Sequence, residues 1–324
     1  MYFRTSVPVP AYPCRIHHQH TLLSMGSCFA EHIGRRLSGL KFQQQLNPYG
    51  IVYNPLVLAR LLRKLLREEP PREAELFQEQ GLWRHYDFHS RYAQPEPTDA
   101  LLIMRQQQQR AVALLPQLDY LLLTLGTAYG FARKSNGEWV NNCHQQDADL
   151  FVKQRATVAE TVGMLRDVFI DLQTRSPKLQ VILTVSPVRY QRDGFLENQR
   201  SKAILLLAVE GLTQELPFVH YFPAYEILLD ELRDYRFYAR DMLHPNELAI
   251  DYIWEAFTDA FWTDETRQLS SRIHKVVQSL QHRPLHPGSD SHQAFQQQLR
   301  EQVQELQTAY PFLSFAHESQ KIKG

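Results

Sequence analysis

Short apolar runs, separated by longer stretches of helical periodicity, constrain this chain more than any other feature. "TLLSM" (21–25), "YLLLTL" (120–125), "VILTV" (181–185) and "PFVHYF" (217–222) each read as a buried strand. Helical patterns fall between and after them. The first runs to about Leu40 with Phe29, Ile33 and Leu37 on one face. Another spans about 148–173, marked by Phe151, Val158, Val162, Leu165 and Phe169, and a third spans roughly 198–215. "NPLVLARLLRKLL" supplies Asn54 as a cap and Pro55 at the first helical position. "DMLHPNELAIDYIWEAF" (241–257) turns into a further helix, with Pro245 suited to its first position. Strands joined by helices of this length need crossover connections. The pattern therefore predicts an α/β fold of three layers, a mostly parallel sheet with helices on both faces.

Organisation follows from where that pattern stops. Residues 1–263 form the α/β unit, with an irregular, aromatic and proline-containing stretch at about 70–98 that reads as an insertion or lid. Residues 264–324 read as a helical appendage, "RQLSSRIHKVVQSLQ" and "DSHQAFQQQLREQVQELQ" joined by the loop "HRPLHPGSD". The glutamine runs at 43–45, 106–109 and 296–298 are too short for low complexity. Lys+Arg 35 balances Asp+Glu 35, so no global field points to nucleic acid or an anionic membrane. No apolar run approaches the ~20 residues of a membrane helix, and the N-terminal stretch lacks the apolar core of a signal peptide. Three cysteines, none in a CxxC pair, fit a reducing compartment. A cytoplasmic protein is the expectation. "CRIHHQH" brings Cys14, His17, His18 and His20 together, but no second ligand pair follows, so no metal site is expected.

The chemistry-bearing stretch is "LLSMGSCFAEHIGRRL" (22–37). Gly26 permits a sharp strand-to-helix turn. Ser27 and Cys28 then stand at a helix N-terminus, where free N–H groups and the dipole favour an anion. A thiolate gains most there, whereas a serine needs a partner base. The candidate base lies in "RDMLHPNEL" (240–248). Asp241 and His244 are three apart, so the carboxylate can hold one ring nitrogen while the other faces a nucleophile. Arg240 and Arg236 are alternative partners for Asp241, and helix capping is an alternative role for His244.

"GSCFA" (26–30), "LTLGTAYGF" (123–131), "NNCH" (141–144), "TVSPVRY" (184–190), "ENQRSKAILL" (197–206) and "YEILLDELRDYRFYARDMLHP" (225–245) resemble the GSCFA-domain family over most of the chain. The broader pattern is similar to the SGNH, or GDSL-type, hydrolases. That resemblance implies a nucleophile after the first strand and an Asp-x-x-His block near the last helix, which Asp241 and His244 match. By position the nucleophile is Cys28; by chemical type it is Ser27; position favours Cys28. The resemblance also implies oxyanion donors. Gly50 in "NPYGIVYNP" answers to the second-block glycine. In the third block, Gly126-Thr127-Ala128, alanine stands where an asparagine is usual, leaving Thr127, Asn54 or Asn142 to substitute. Asn142 and His144 either line a substrate cleft or serve turn hydrogen bonding, and Arg189 meets either a substrate carboxylate or an acidic neighbour. The activity implied is ester hydrolysis or O-acyl transfer through a covalent acyl-enzyme, on a small-molecule or carbohydrate ester, without a cofactor. The other expectation is a non-catalytic carbohydrate- or ligand-binding module on the same fold.

Overall fold

The computed structural model describes residues 4–281 and 290–316. Strand β1 (Thr21–Gly26) leads into α1 (Cys28–Gly39), and β2 (Gln43–Leu46) into α2 (Pro55–Leu66). A hairpin, β3 (Phe77–Glu79) and β4 (Leu82–Arg84), precedes α3 (Pro97–Leu114) and β5 (Leu118–Leu125). Three strands follow, β6 (Tyr129–Arg133), β7 (Trp139–Val140) and β8 (Phe151–Arg155). Helix α4 (Val158–Arg175) leads to β9 (Gln180–Val185), and α5 (Phe195–Glu215) to β10 (Val219–Tyr221). The turn α6 (Ala224–Glu226), then α7 (Glu247–Phe261), α8 (Asp264–Gln281) and α9 (Asp290–Ala309) complete the order.

Five strands form one parallel sheet in the order β10-β9-β5-β1-β2. The chain steps from β1 outward to β2, then returns to the other side of β1 with β5. In a parallel sheet that reversal opens a crevice beyond the carboxyl ends of the two strands. The period-2 alternation of strands separates the two helix layers. Leu23, Met25, Leu121, Leu123, Leu125, Val181, Leu183 and Val185 pack with α2, α4 and α5. Leu22, Tyr120, Leu122 and Ile182 pack with Phe29, Ile33 and Leu37 of α1 and Ile253 and Phe257 of α7. Both faces are covered, which is why the strands read as continuous apolar runs. Each fully buried aliphatic side chain contributes about 1.5–3 kcal/mol.

The three-layer α/β fold agrees with the sequence; several local expectations do not. The stretch 148–173 is not one helix: Phe151–Arg155 pairs with β6 in a separate antiparallel sheet, and α4 starts ten residues later than 148. A capping box explains the start, because Thr157 Oγ1 accepts from Glu160 N while Glu160 Oε2 accepts from Thr157 N. Pro245 is not the first helical residue. Asn246 caps α7, its Oδ1 accepting from Ala249 N at 3.0 Å. The α2 start is as read, with Asn54 Oδ1 accepting from Leu56 N and Val57 N. Within 70–98, Phe88 and Tyr92 are buried in the main core, and the buried Asp87 carboxylate is held by Arg60 and Lys64 of α2. In the C-terminal region α8 and α9 bury a cluster of their own, including Ile273, Val303, Leu306 and Phe315. The loop expected at 282–290 lies, except for Asp290, outside the described residues.

Gly26 sets how closely β1 and β5 approach. It has φ +141°, and a Cβ there would lie inside van der Waals contact with Thr124 O and 2.9 Å from Thr124 N. Backbone cannot swing aside as a side chain can. Gly26→Ala is expected to destabilise the protein by about 3 kcal/mol or more, strain and overpacking combined. Denaturant unfolding measures it, and an unchanged midpoint would mean that the seam is looser than its geometry implies.

Candidate active site

The carboxyl end of β1 is fixed before any side chain acts. Gly26 N donates to Asn47 Oδ1 at 3.0 Å, and Ser27 N donates to Thr124 O at 3.2 Å. Ser27 caps α1 with extended backbone, yet its side chain gives the first turn no hydrogen bond. Its Oγ is buried and partnerless among the described residues. The first-turn N–H groups of α1 are therefore left without a side-chain acceptor. Cys28 opens the helix and is half-buried, with Sγ 3.3 Å from Tyr53 Oη.

Asp241 and His244 form the expected dyad. His244 Nδ1 lies 2.7 Å from Asp241 Oδ2, and Asp241 Oδ1 accepts from His244 N at 3.0 Å and Leu243 N at 2.9 Å. The backbone bond from His244, then that from Leu243, then the ring itself pull the Asp241 carboxyl down to about 2. Met242, in the left-handed region at φ +59°, makes this tight bend. Arg236 pairs with Asp234 instead, so Asp241 serves the imidazole. With Nδ1 held, Nε2 has no hydrogen-bond partner among the described residues.

Three interactions relate α7, the helix that follows the dyad, to α1. Arg36 pairs with Glu247 at 3.6 Å and with Asp251 at 2.5 Å. His32, whose pKa burial lowers, feels the opposing charge of Glu247. Asp251 thus faces Arg36, and Glu247 reaches one turn back to His32. The two helices run the same way, with Cys28 and His244 toward the same end. Arg189 N, after β9, donates to Leu243 O at 3.1 Å and ties the dyad loop to the sheet. Among the described residues no hydrogen bond joins the His244 ring to Ser27 or Cys28.

Most of the expected oxyanion and binding groups are committed elsewhere. Gly50 N donates to Asn47 O at 2.7 Å, and its φ of +81° lets His89 pack against it, so it is a turn glycine. Asn54 is taken up by the α2 cap and by a bond from Nδ2 to Ala128 O at 3.0 Å. Gly126 N and Thr127 N both donate to Tyr53 O, at 2.8 and 3.1 Å. Thr127 Oγ1 pairs with Ser201 Oγ at 3.0 Å. Asn142 Oδ1 accepts from His144 N at 2.8 Å, and its Nδ2 donates to Ser90 Oγ. His144 is buried, with Nε2 at 2.9 Å from His85 O and Nδ1 near Ser90 Oγ. Among the described residues Arg189 meets no acidic neighbour; it lies over Phe195, 4.3 Å from the ring centroid, and reaches Met242 O. It braces the dyad loop. Of the histidines near the N-terminus, His18 stacks on Phe42 and His20 Nδ1 accepts from His17 N.

Two further positions at the strand ends were not marked by the sequence. Tyr53 touches Cys28 through its hydroxyl and also lines a cleft of about 380 Å³ that runs between α2 and the β6–β8 sheet, past Tyr129, Cys143 and Tyr190. Lys202 is fully buried in α5. Its Nζ donates to Gly126 O at 2.8 Å and Ser186 O at 2.7 Å, clasping the ends of β5 and β9, and burial pulls its pKa down to about 7. The one signal for Lys202 was a lysine inside the apolar run "KAILLLAV". Nothing in "VYNP" marked Tyr53.

Two family models match the chain. A family model described as "GSCFA family" matches residues 21–257, and one described as "GSCFA domain protein, C-terminal domain" matches residues 273–323. The chain belongs to the GSCFA family. No curated protein matches it. Among the described residues, no helix is long and apolar enough to cross a membrane.

Burial lowers the pKa of both His18 and His144 to about 4 from an ordinary 6.5. The unfolded chain binds protons at these rings near pH 6.5 and the folded chain does not. Stability is therefore expected to decline as pH falls from 6.5 toward 4. Proton NMR of the two imidazoles should give midpoints near 4; midpoints near 6.5 would contradict the burial assigned to them.

Proposed function

We propose that this GSCFA-family protein is an acyl-transferring enzyme of SGNH type, acting on an ester through a thioester on Cys28. His244 is the proton carrier and Asp241 orients its ring. What supports the proposal is a pair of groups at the carboxyl edge of the sheet. A tethered imidazole, its Nε2 without a partner among the described residues, sits on a loop bound to the chain just after β9, and a half-buried cysteine sits on the helix that begins just after β1. That edge is also the reversal point of the strand order, where parallel sheets bind ligands. Cys28 is preferred to Ser27 because it is only half-buried and its sulfur touches Tyr53 of the cleft wall, whereas Ser27 is 1% exposed.

The chemistry balances with these groups alone. His244 Nε2 takes the proton from Cys28 Sγ as sulfur bonds to the ester carbonyl carbon, and the π electron pair moves onto the carbonyl oxygen. When C=O re-forms, the C–O bond to the alcohol breaks and the alkoxide takes the proton from Nε2–H. In the second half, His244 removes a proton from water or a sugar hydroxyl, whose oxygen attacks the thioester. Collapse releases an acid or a new ester and returns the proton to sulfur. Nucleophile and base need to meet only when substrate is bound, since such hydrogen bonds tighten in the Michaelis complex. An ester of a carbohydrate or another small molecule fits a cleft with Tyr129, Tyr190 and Asn142 in its wall.

Intact-mass analysis after brief exposure to an activated acetyl ester tests the assignment. Wild type and Ser27→Ala should carry one acetyl group, and Cys28→Ala and His244→Ala none. Asp241→Asn should slow acetylation by ~10²-fold or more. An unchanged adduct in both Cys28→Ala and Ser27→Ala would remove the mechanism.

A further inference from the structure

The glycine and asparagine donors expected of the oxyanion hole are committed elsewhere. Gly50 N, Gly126 N and Thr127 N each already have a backbone acceptor, Asn54 Nδ2 donates to Ala128 O and Asn142 Nδ2 to Ser90 Oγ, and Ala128 presents no polar side chain. What stands beside the nucleophile instead is a phenol. We propose that Tyr53 is a catalytic residue whose Oη–H donates to the developing oxyanion when Cys28 attacks a carbonyl, taking the place of the asparagine amide. This rests on the acyl-transfer function proposed above.

The geometry supports it from three sides. Tyr53 Oη is 3.3 Å from Cys28 Sγ, so an oxygen on a carbon newly bonded to sulfur falls within reach of the same hydroxyl. The residue is also fixed in place. Its carbonyl accepts from both Gly126 N and Thr127 N, and the third block presses on its side chain: a Cβ on Gly126 would sit 3.0 Å from Tyr53 Cδ1. Gly126 therefore seats the tyrosine rather than binding substrate. Finally, Tyr53 is 37% exposed and lies in the cleft wall, so substrate can reach it there. Burial, then the neighbouring Cys28, raises the phenol pKa, which keeps the proton on Oη available for donation. The hydroxyl bonds sulfur in the resting enzyme and the oxyanion in the tetrahedral intermediate. No bond to the proton breaks in the exchange. The remaining donors are the free N–H groups of the first turn of α1.

Tyr53→Phe deletes the hydroxyl and keeps the ring, so thermal unfolding should match wild type. Two reactions of Cys28 are compared by rapid mixing: acetylation by p-nitrophenyl acetate, which passes through an oxyanion, and alkylation by iodoacetamide, which does not. The variant should acetylate ~10²-fold more slowly and alkylate as wild type does. Equal acetylation in the two proteins would overturn the role of Tyr53 while leaving the Cys28 chemistry intact. Equal slowing of both reactions would also overturn it, placing the hydroxyl's effect on the thiol rather than on the oxyanion. Absence of an acetyl adduct on wild-type Cys28, with alkylation proceeding, would mark failure of the underlying acyl-transfer proposal and remove this one with it.

Discussion

The backbone contact between Gly26 and Thr124 governs the rest of the molecule. Without a Cβ at residue 26, β1 lies close against β5 just where the two strands end, and Thr124 O receives the next amide, Ser27 N. That bond sets the angle at which the chain leaves the sheet and so the start of α1. Cys28 is consequently placed by backbone, not by loop packing. A site built on element ends keeps its geometry better than one built on a free loop.

Around that point nearly every polar group satisfies another part of the fold. Asn47 holds Gly26, Asn54 caps α2 and reaches Ala128, Ser201 serves Thr127 and Ala128, and Lys202 ties the ends of β5 and β9. Buried donors and acceptors left unpaired cost about 1–3 kcal/mol each, which is why such networks close. The atoms that stay open are therefore informative. Among the described residues several buried atoms lack a partner, Asn47 Nδ2 and Asp193 Oδ2 included. Beyond the carboxyl ends of β1 and β9 the open atoms include Ser27 Oγ and His244 Nε2, with Cys28 bonded to Tyr53 beside Ser27.

The parallel sheet was legible in the chain because both of its faces are buried, which turns strands into unbroken apolar runs. The dyad was legible too, since a three-residue bend places Asp241 and His244 together by local geometry alone. What could not be read depends on distant partners. "FVKQR" shows helical spacing but is captured by β6, an edge that the chain forms some twenty residues earlier. Asn54 and Gly50 have residue types that suit an oxyanion hole, and only the folded structure reveals that Ala128 and Asn47 claim them. Tyr53 escaped notice because its relation to Cys28 arises from the return of the chain after β2, with no local motif to mark it.

The central claim is spatial: position 244 comes within reach of Cys28 at the carboxyl end of the sheet, where α1 follows β1 and the loop before α7 is tied to the chain after β9. Dibromobimane tests this directly, because it fluoresces when it bridges two neighbouring thiols. In a Cys14→Ser, Cys143→Ser background carrying His244→Cys, the account predicts a fluorescent bridge that peptide mapping assigns to residues 28 and 244. Single labelling of both thiols by the monobromo reagent, with no bridge between them, would contradict it.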